Sequence, residues 1–436
     1  MDPHAPNWEH CLEPASLSDI GLRRANNQDS LATVIAGSPE KFRSRGHLFL
    51  VADGMGAHAA GELASKLAAD VVPLTYNKLV DPSPAEALMA AIEDANSQIH
   101  NRGMASDDFR GMGTTVSALA LLPEGALVAH VGDSRVYRLR GSRIEQLTFD
   151  HSLVWELRAA GHVSSGEAPS YIPKNIITRS LGPNPQVQVD LEGPLPIEPG
   201  DVYLLCSDGL SGQVKDDEIG KVLAALPPKE AVQALVDLAN LRGGPDNITV
   251  VVVRVTGPLA PGGATAAAAP SAASPDGLRI PPAIAWALGL LTLAAGVLAA
   301  TGRSEAAWVC AVVALGAGGV ALLRKYGRAR SQPASQPFGR GPYASSDSTP
   351  DAPFAERLAQ VVQQLREAAT GANWTIDWER FRTHESRAAA ASQGGDYLAA
   401  VRESCKAMMF MMAELRSQPE RRKLGGGDST SFSQGP

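Results

Sequence analysis

The sequence predicts an α+β fold for its first half, built of antiparallel sheets with helices packed outside them. Strand-length runs rich in β-branched and apolar residues recur at His47–Ala52, Thr114–Leu122, Leu127–Arg140, Val202–Ser207 and Ile248–Val255. Helical periodicity marks Ala60–Leu79, Pro84–Arg102 and Lys229–Leu241. Several strand runs follow one another with no helix between them, which disfavours a doubly wound parallel sheet.

Taken in order, residues 1–15 form a polar tail without the apolar core of a signal peptide, so the domain after it is expected in the cytoplasm. Residues 16–256 read as one mixed domain. In its first helix Leu63, Leu67, Val71 and Leu74 recur on one face, and in its second Leu88, Ile92, Ala95 and Ile99 do the same. Val250–Val255 is almost continuously β-branched, which suits a buried strand. A helix over Ser152–Ala160 leads into an irregular stretch through Pro169, Tyr171 and Pro173.

Residues 257–279 collapse to Ala, Pro, Gly and Ser and form a linker. Two uncharged runs follow, Ile280–Ala300 and Ala306–Leu323. At about 1.5 Å per residue each is long enough to cross a hydrocarbon core of about 30 Å. Arg324, Lys325, Arg328 and Arg330 stand just after the second run. Positive flanks stay cytoplasmic, so residues 280–323 are expected to form a two-span membrane hairpin in the lipid bilayer, with both flanking parts in the cytoplasm. Residues 324–351 read as a basic, then disordered linker. Residues 352–423 carry three helical stripes and predict a small bundle, and 424–436 a Gly/Ser-rich tail. Met408–Met412 reads first as core packing and second as a surface for a protein partner.

The net charge of −7, with no basic block ahead of the apolar runs, gives no reason to expect nucleic acid. Cys11, Cys206, Cys310 and Cys405 are far apart in sequence, which disfavours a zinc site or a disulfide framework.

The chemistry lies in scattered aspartates. Asp53, Asp133 and Asp208 each follow an apolar strand run, and Asp29 and Asp246 end Asn-Asn-Gln-Asp and begin Asp-Asn. A strand that ends in an acid places a carboxylate at the rim of a sheet. Several such ends in one cleft make the oxygen-only donor set that hard divalent cations prefer. Two such cations suit hydrolysis of a phosphate monoester, where both the substrate and the attacking hydroxide are anions. Taken singly, Asp-Gly and Pro-Asp-Asn are ordinary turn signals.

The ordered motifs Arg24-Ala-Asn-Asn-Gln-Asp29, Val51-Ala-Asp53-Gly54-Met55-Gly56, Gly113-Thr114-Thr115, Gly132-Asp133-Ser134-Arg135, Ser207-Asp208-Gly209 and Asp246-Asn247-Ile248-Thr249 resemble the metal-dependent protein phosphatases of the type 2C serine/threonine class, in their bacterial form. The resemblance covers about residues 16–256. It implies a four-layer α/β/β/α sandwich of two antiparallel sheets. It implies two Mn2+ or Mg2+ ions, with Asp53 bridging them, Gly54 giving its carbonyl, and Asp208 and Asp246 completing the pair. Asp29 is expected to act through bound water, Asp133 to hold a third, weaker ion, and Arg24 to clamp the phosphate. The implied reaction is hydrolysis of phosphoserine and phosphothreonine on cytoplasmic proteins, with Ser/Thr kinases or their substrates as partners. The alternative is a membrane-anchored phosphoprotein-binding scaffold. Two departures stand out. Met55 occupies the place of a histidine found in many eukaryotic members, with His58 nearby, and Gln28 stands where bacterial relatives often have Glu.

Overall fold

A computed structural model describes residues 11–56, 59–163, 172–173, 176–259, 338–372 and 374–417. Two six-stranded antiparallel sheets pack face to face. The first runs β1 (Leu12–Asp19), β11 (Ile248–Val255), β10 (Val202–Cys206), β7 (Arg135–Arg140), β8 (Arg143–Gln146) and β12 (Ala344–Asp347). The second runs β2 (Asp29–Val34), β3 (His47–Met55), β5 (Val116–Leu122), β6 (Gly125–Val131) and β9 (Asp190–Leu195), with β4 (Gly113–Thr114) pairing the end of β3.

The valine run of β11 shows why the strands lack polar alternation. Val251 and Val253 point between the sheets with Phe49, Val51, Leu119, Val136 and Leu205. Val250 and Val252 point the other way, under α6 (Asp216–Ala225) and α7 (Pro228–Leu241). On β3, Leu48, Leu50 and Ala52 face α2 (Ala60–Lys78) and α3 (Pro84–Ala105), while Phe49 and Val51 face the other sheet. Each strand is therefore apolar on both faces, and the layers stack helix, sheet, sheet, helix as expected. The short helices α1 (Pro39–Arg45), α4 (Leu153–Ala159) and α5 (Asp208–Ser211) lie in the connections.

Several boundaries differ from the sequence reading. The run Leu127–Arg140 is two strands, because Gly132 at φ +119° breaks it and lets Asp133 turn out of the ladder. The N-terminal tail is shorter than expected, since β1 begins at Leu12 and pairs with β11 along its full length.

The C-terminal part also differs. Within the expected linker 324–351, Ala344–Asp347 adds β12 to the edge of the first sheet, Ser346 opposite Ile144. The helices α8 (Ala352–Gly371), α9 (Trp378–Gln393) and α10 (Tyr397–Ser417) do form a bundle, but not an independent one. They belong to the same compact unit as the catalytic-type domain. Phe354, Leu358, Val401, Met408, Met411 and Met412 share one apolar cluster with Val222, Leu235 and Val252. Much of the methionine run is thus core. Polar ties fix the docking: Lys221 pairs with Asp351 at 3.0 Å, and Arg416 pairs with the fully buried Asp237. Asp351 caps α8 by accepting from the Phe354 amide.

Phe354→Ala removes a fully buried ring from that junction. The expected loss is about 3–5 kcal/mol of unfolding free energy, read from urea denaturation of the full chain. A loss under about 1 kcal/mol would mean that the helices do not help hold the body together.

Residues 264–336 form a second unit, outside the described residues, and the expected hairpin 280–323 falls in it. Among the described residues no helix is long and apolar enough to cross a membrane.

Candidate metal centre

The rims of both sheets meet where β2, β3, β10 and β11 begin or end. Asp29 opens β2 directly opposite Asp53 on β3. Asp208 follows β10, and Asp246 precedes β11. Asp133 sits in the turn between β6 and β7. These five acids converge from four strand ends and one turn, and the charge of each of the other four bears on Asp53.

The backbone around Asp53 is held on both sides. Its amide donates to Thr115 Oγ1 at 2.9 Å, and its carbonyl accepts from the Thr115 amide and from Thr114 Oγ1, each at 2.9 Å. Gly54 must be glycine, because a Cβ there would lie 2.1 Å from the Gly61 carbonyl oxygen and 2.5 Å from that of Gln28. Such a close approach seats the start of α2 and the Gln28 loop against the motif. Asp29 Oδ2 accepts from Ser207 Oγ at 2.7 Å. Asn247 ties the Asp246 loop to the Arg24 loop. Its side chain accepts from the Gln28 amide at 2.9 Å and donates to the carbonyls of Ile20 and Asn26.

The electrostatics are those of crowded like charges. Burial, then the charges of Asp29, Asp208, Asp133 and Asp246, push the Asp53 carboxyl well above the usual range. Burial, opposed by hydrogen bonds from Ser207 and Thr249, raises Asp29 to about 7. Asp133 is raised to about 8 by burial and by Asp208 and Asp150. Asp208 is raised by burial and by Asp246. The opposing cation at the cluster is Arg24, whose Nη2 lies 2.6 Å from Asp246 Oδ2. Arg135 is engaged elsewhere, by Asp150 at 2.7 Å and Asp216 at 3.4 Å. Asp133 Oδ1 and Asp208 Oδ1 are buried and accept no hydrogen bond.

Buried carboxylate oxygens without donors, in an acidic cluster short of cations, are the environment a hard divalent ion relieves. The side chains fit that group by donor type: carboxylates and the Gly54 carbonyl, with no thiol or imidazole among them. Among the described residues no three acidic, histidine or cysteine side chains stand together at full chelating spacing. Hydrated Mg2+ or Mn2+ needs only one or two protein oxygens each, with water filling the remaining positions.

The structure therefore brings Arg24, Asp29, Asp53, Gly54, Asp133, Asp208 and Asp246 to one region. Met55 lies beside them on β3, pairing with Gly113, while His58 lies outside the described residues. Arg179 is held by Asp190 at 2.6 Å. In the sequence alone Thr114, Thr115 and Ser207 carry no evident role. Thr115 fixes the Asp53 backbone, and Ser207 both donates to Asp29 and accepts from the Thr249 amide at 2.9 Å. Their signal was adjacency to a strand-end acid.

The family model described as Protein phosphatase 2C matches residues 23–238. A putative protein phosphatase 2C-type from Streptococcus pyogenes serotype M6 is 41% identical over 244 residues, covering 54% of this chain and 94% of that protein. The solved serine/threonine phosphatase of S. agalactiae shares 38% identity, with a TM-score of 0.50 over 56% of this chain and 99% of that one. The catalytic domain of the serine threonine protein phosphatase PstP, solved with two manganese ions, is 35% identical over 56% of this chain and 99% of that one, with a TM-score of 0.48.

Proposed function

The chain belongs to the protein phosphatase 2C family, and as a serine/threonine protein phosphatase of that family we propose that it dephosphorylates phosphoserine and phosphothreonine on cytoplasmic proteins from a membrane-tethered position. The observation that carries the chemistry is the convergence of Asp29, Asp53, Asp133, Asp208 and Asp246 where the rims of the two sheets meet, with buried, unsatisfied oxygens.

The cofactors are Mn2+ or Mg2+, which when bound supply an activated water and neutralise phosphoryl oxygens. Asp53, the Gly54 carbonyl, Asp208 and Asp246 would hold the central pair, Asp29 would hold coordinated water, and Asp133 with Asp208 would hold a third ion. The chain's own residues do the rest. Thr114 and Thr115 lock the Asp53 backbone, so that little reorganisation is left for the reaction. Ser207 and Thr249 orient the Asp29 carboxylate. Arg24 reaches Asp246 from a partly exposed position, where its planar fork can exchange that carboxylate for two phosphoryl oxygens. Manganese-dependent phosphate release from p-nitrophenyl phosphate and a phosphothreonine peptide, abolished by excess chelator, is the deciding assay. Undiminished release in chelator would sink the reading.

Arg24→Ala is expected to lower kcat/KM by about 10–100-fold, with Arg24→Lys recovering only part of it because an ammonium cannot make the bidentate contact. Steady-state kinetics on both variants check this.

The tether rests on Ile280–Ala300 and Ala306–Leu323 and on the basic residues after them. It is supported by where the chain leaves and rejoins the described body. Leu259 is buried in the inter-sheet cluster, and Phe338 bridges Gly193 on the same unit. An even number of spans is the arrangement that returns the chain to the side it left. Sedimentation with membranes, lost on deletion of residues 280–323, tests it. Full recovery in the soluble fraction would refute it.

A further inference from the structure

Beside the acid cluster lies a cavity of about 610 Å3, and one of its walls comes from outside the region shared with the relatives. Asp133 and Asp208 stand at one side, with Trp155 of α4, Lys215 before α6 and Ser346 of β12 also lining it. Volumes of roughly 300–1,000 Å3 accommodate whole ligands rather than single groups. The family model spans residues 23–238, which end more than a hundred residues before Ser346. Ser346 therefore belongs to a wall this chain adds.

That wall is anchored. The Tyr343 amide donates to the Gln146 carbonyl at 2.9 Å, Arg143 Nε donates to Ser345 Oγ at 2.5 Å, and the Ser348 amide donates to the Ser142 carbonyl at 2.6 Å. A second contact reaches the cavity independently. The Tyr343 ring meets Phe149 edge-on at 5.5 Å, and Phe149 meets Trp155 edge-on at 5.4 Å. Edge-to-face pairs of this kind orient their rings. The segment entering β12 thus lines the cavity through Ser346 and, through Tyr343 and Phe149, contacts the Trp155 ring that also lines it.

We propose that this cavity is a peptide subsite, in which the polypeptide flanking the phosphorylated residue lies between Trp155, Lys215 and Ser346. The C-terminal part of the chain then selects among phosphoproteins, and Tyr343 acts as a positioning residue for Trp155. The proposal rests on the phosphatase reading above and names its substrate class: phosphopeptides with chain on the Ser346 side, in preference to small phosphate esters.

The test is the ratio of kcat/KM for a short phosphothreonine peptide to that for p-nitrophenyl phosphate, measured on the full chain with Mn2+. Ser346→Trp, which fills the cavity from an edge strand, is expected to lower that ratio about tenfold. The same change can be imposed after folding. Ser346→Cys in a Cys310→Ala background is labelled with a benzyl thiosulfonate and then restored by dithiothreitol; Cys11, Cys206 and Cys405 are buried and protected from the reagent. A ratio that drops on labelling and returns on reduction supports the subsite. An unmoved ratio, with p-nitrophenyl phosphate still hydrolysed, overturns it alone. Absence of p-nitrophenyl phosphate hydrolysis in the unmodified chain overturns the phosphatase reading and the subsite with it.

Discussion

Asp53→Asn is expected to reduce phosphate release at least about 10³-fold, equivalent to about 4 kcal/mol of transition-state stabilisation, while raising the thermal midpoint of the metal-free protein. The two effects share one cause. Asp53 is the acid on which all the others bear. It sits at the centre of the cluster, and its carboxyl is pushed well up by burial and by four neighbouring carboxylates. A neutral amide of the same shape keeps the backbone lock to Thr115, which uses only the Asp53 main chain and the Thr115 hydroxyl and amide. It removes the charge that the fold otherwise crowds, and with it the anchor for a pair of cations. Functional sites often trade stability for chemistry in this way. Asp208→Asn should behave alike, since Asp208 is buried with an unsatisfied oxygen in the same cluster. A phosphate-release assay and a melt in chelator measure the two halves. An Asp53→Asn enzyme within tenfold of the parent would remove Asp53 from the metal centre, whatever its stability.

The parts of this molecule that were legible in the sequence are those whose signal is local. The valines of β11 announce a buried strand, and Ile248–Val255 is observed over the residues expected. The helices α2 and α3 end within three residues of their predicted limits, but on α2 the buried face runs through Ala64, Ala68 and Val72, and Leu74 of the expected stripe is 69% exposed. What was illegible depends on partners distant in sequence. β1, LEPASLSD, has no apolar run of its own and is a strand because Ser18 and Asp19 meet Thr249 and Ile248. β12, ASSD, is polar and becomes a strand only by adding to the free edge of β8. α6 opens with two aspartates and buries Ile219, Val222 and Leu223 only because α10 and the first sheet lie on either side of it. The same holds at the site. Asp53, Asp133 and Asp208 were readable because each follows a strand-like run, and Asp29 and Asp246 because of the motifs around them. The groups that position them, Thr115 and Ser207, are small hydroxyls whose roles are set by hydrogen bonds across 62 and 178 residues of chain.

The second large effect expected is a dependence of metal stabilisation on pH. A carboxyl whose folded pKa lies above its unfolded value of 3.8 holds its proton more tightly in the native state. Its contribution to stability is complete below the unfolded pKa and is lost as pH rises through the folded one. Asp29 is raised to about 7 and Asp133 to about 8, with Asp53 and Asp208 raised as well, by burial first and neighbouring acids next. The metal-free cluster therefore destabilises the fold progressively between about pH 4 and pH 8. Divalent cations favour the charged carboxylates and oppose that loss. At about pH 8, saturating Mn2+ at roughly a hundred times its Kd should add about 2.7 kcal/mol. For a domain of this size that is a rise of about 5–10 °C in thermal midpoint. At about pH 5 the same carboxyls carry protons that the metal must displace, so the increment should shrink to a small fraction of its value at the higher pH. Comparing the increment rather than the midpoint itself cancels the other titrating groups. Melts with Mn2+ and with chelator at both pH values supply it, and Asp53→Asn should flatten the response at either. An increment as large at pH 5 as at pH 8 would show that these aspartates are not where the metal binds.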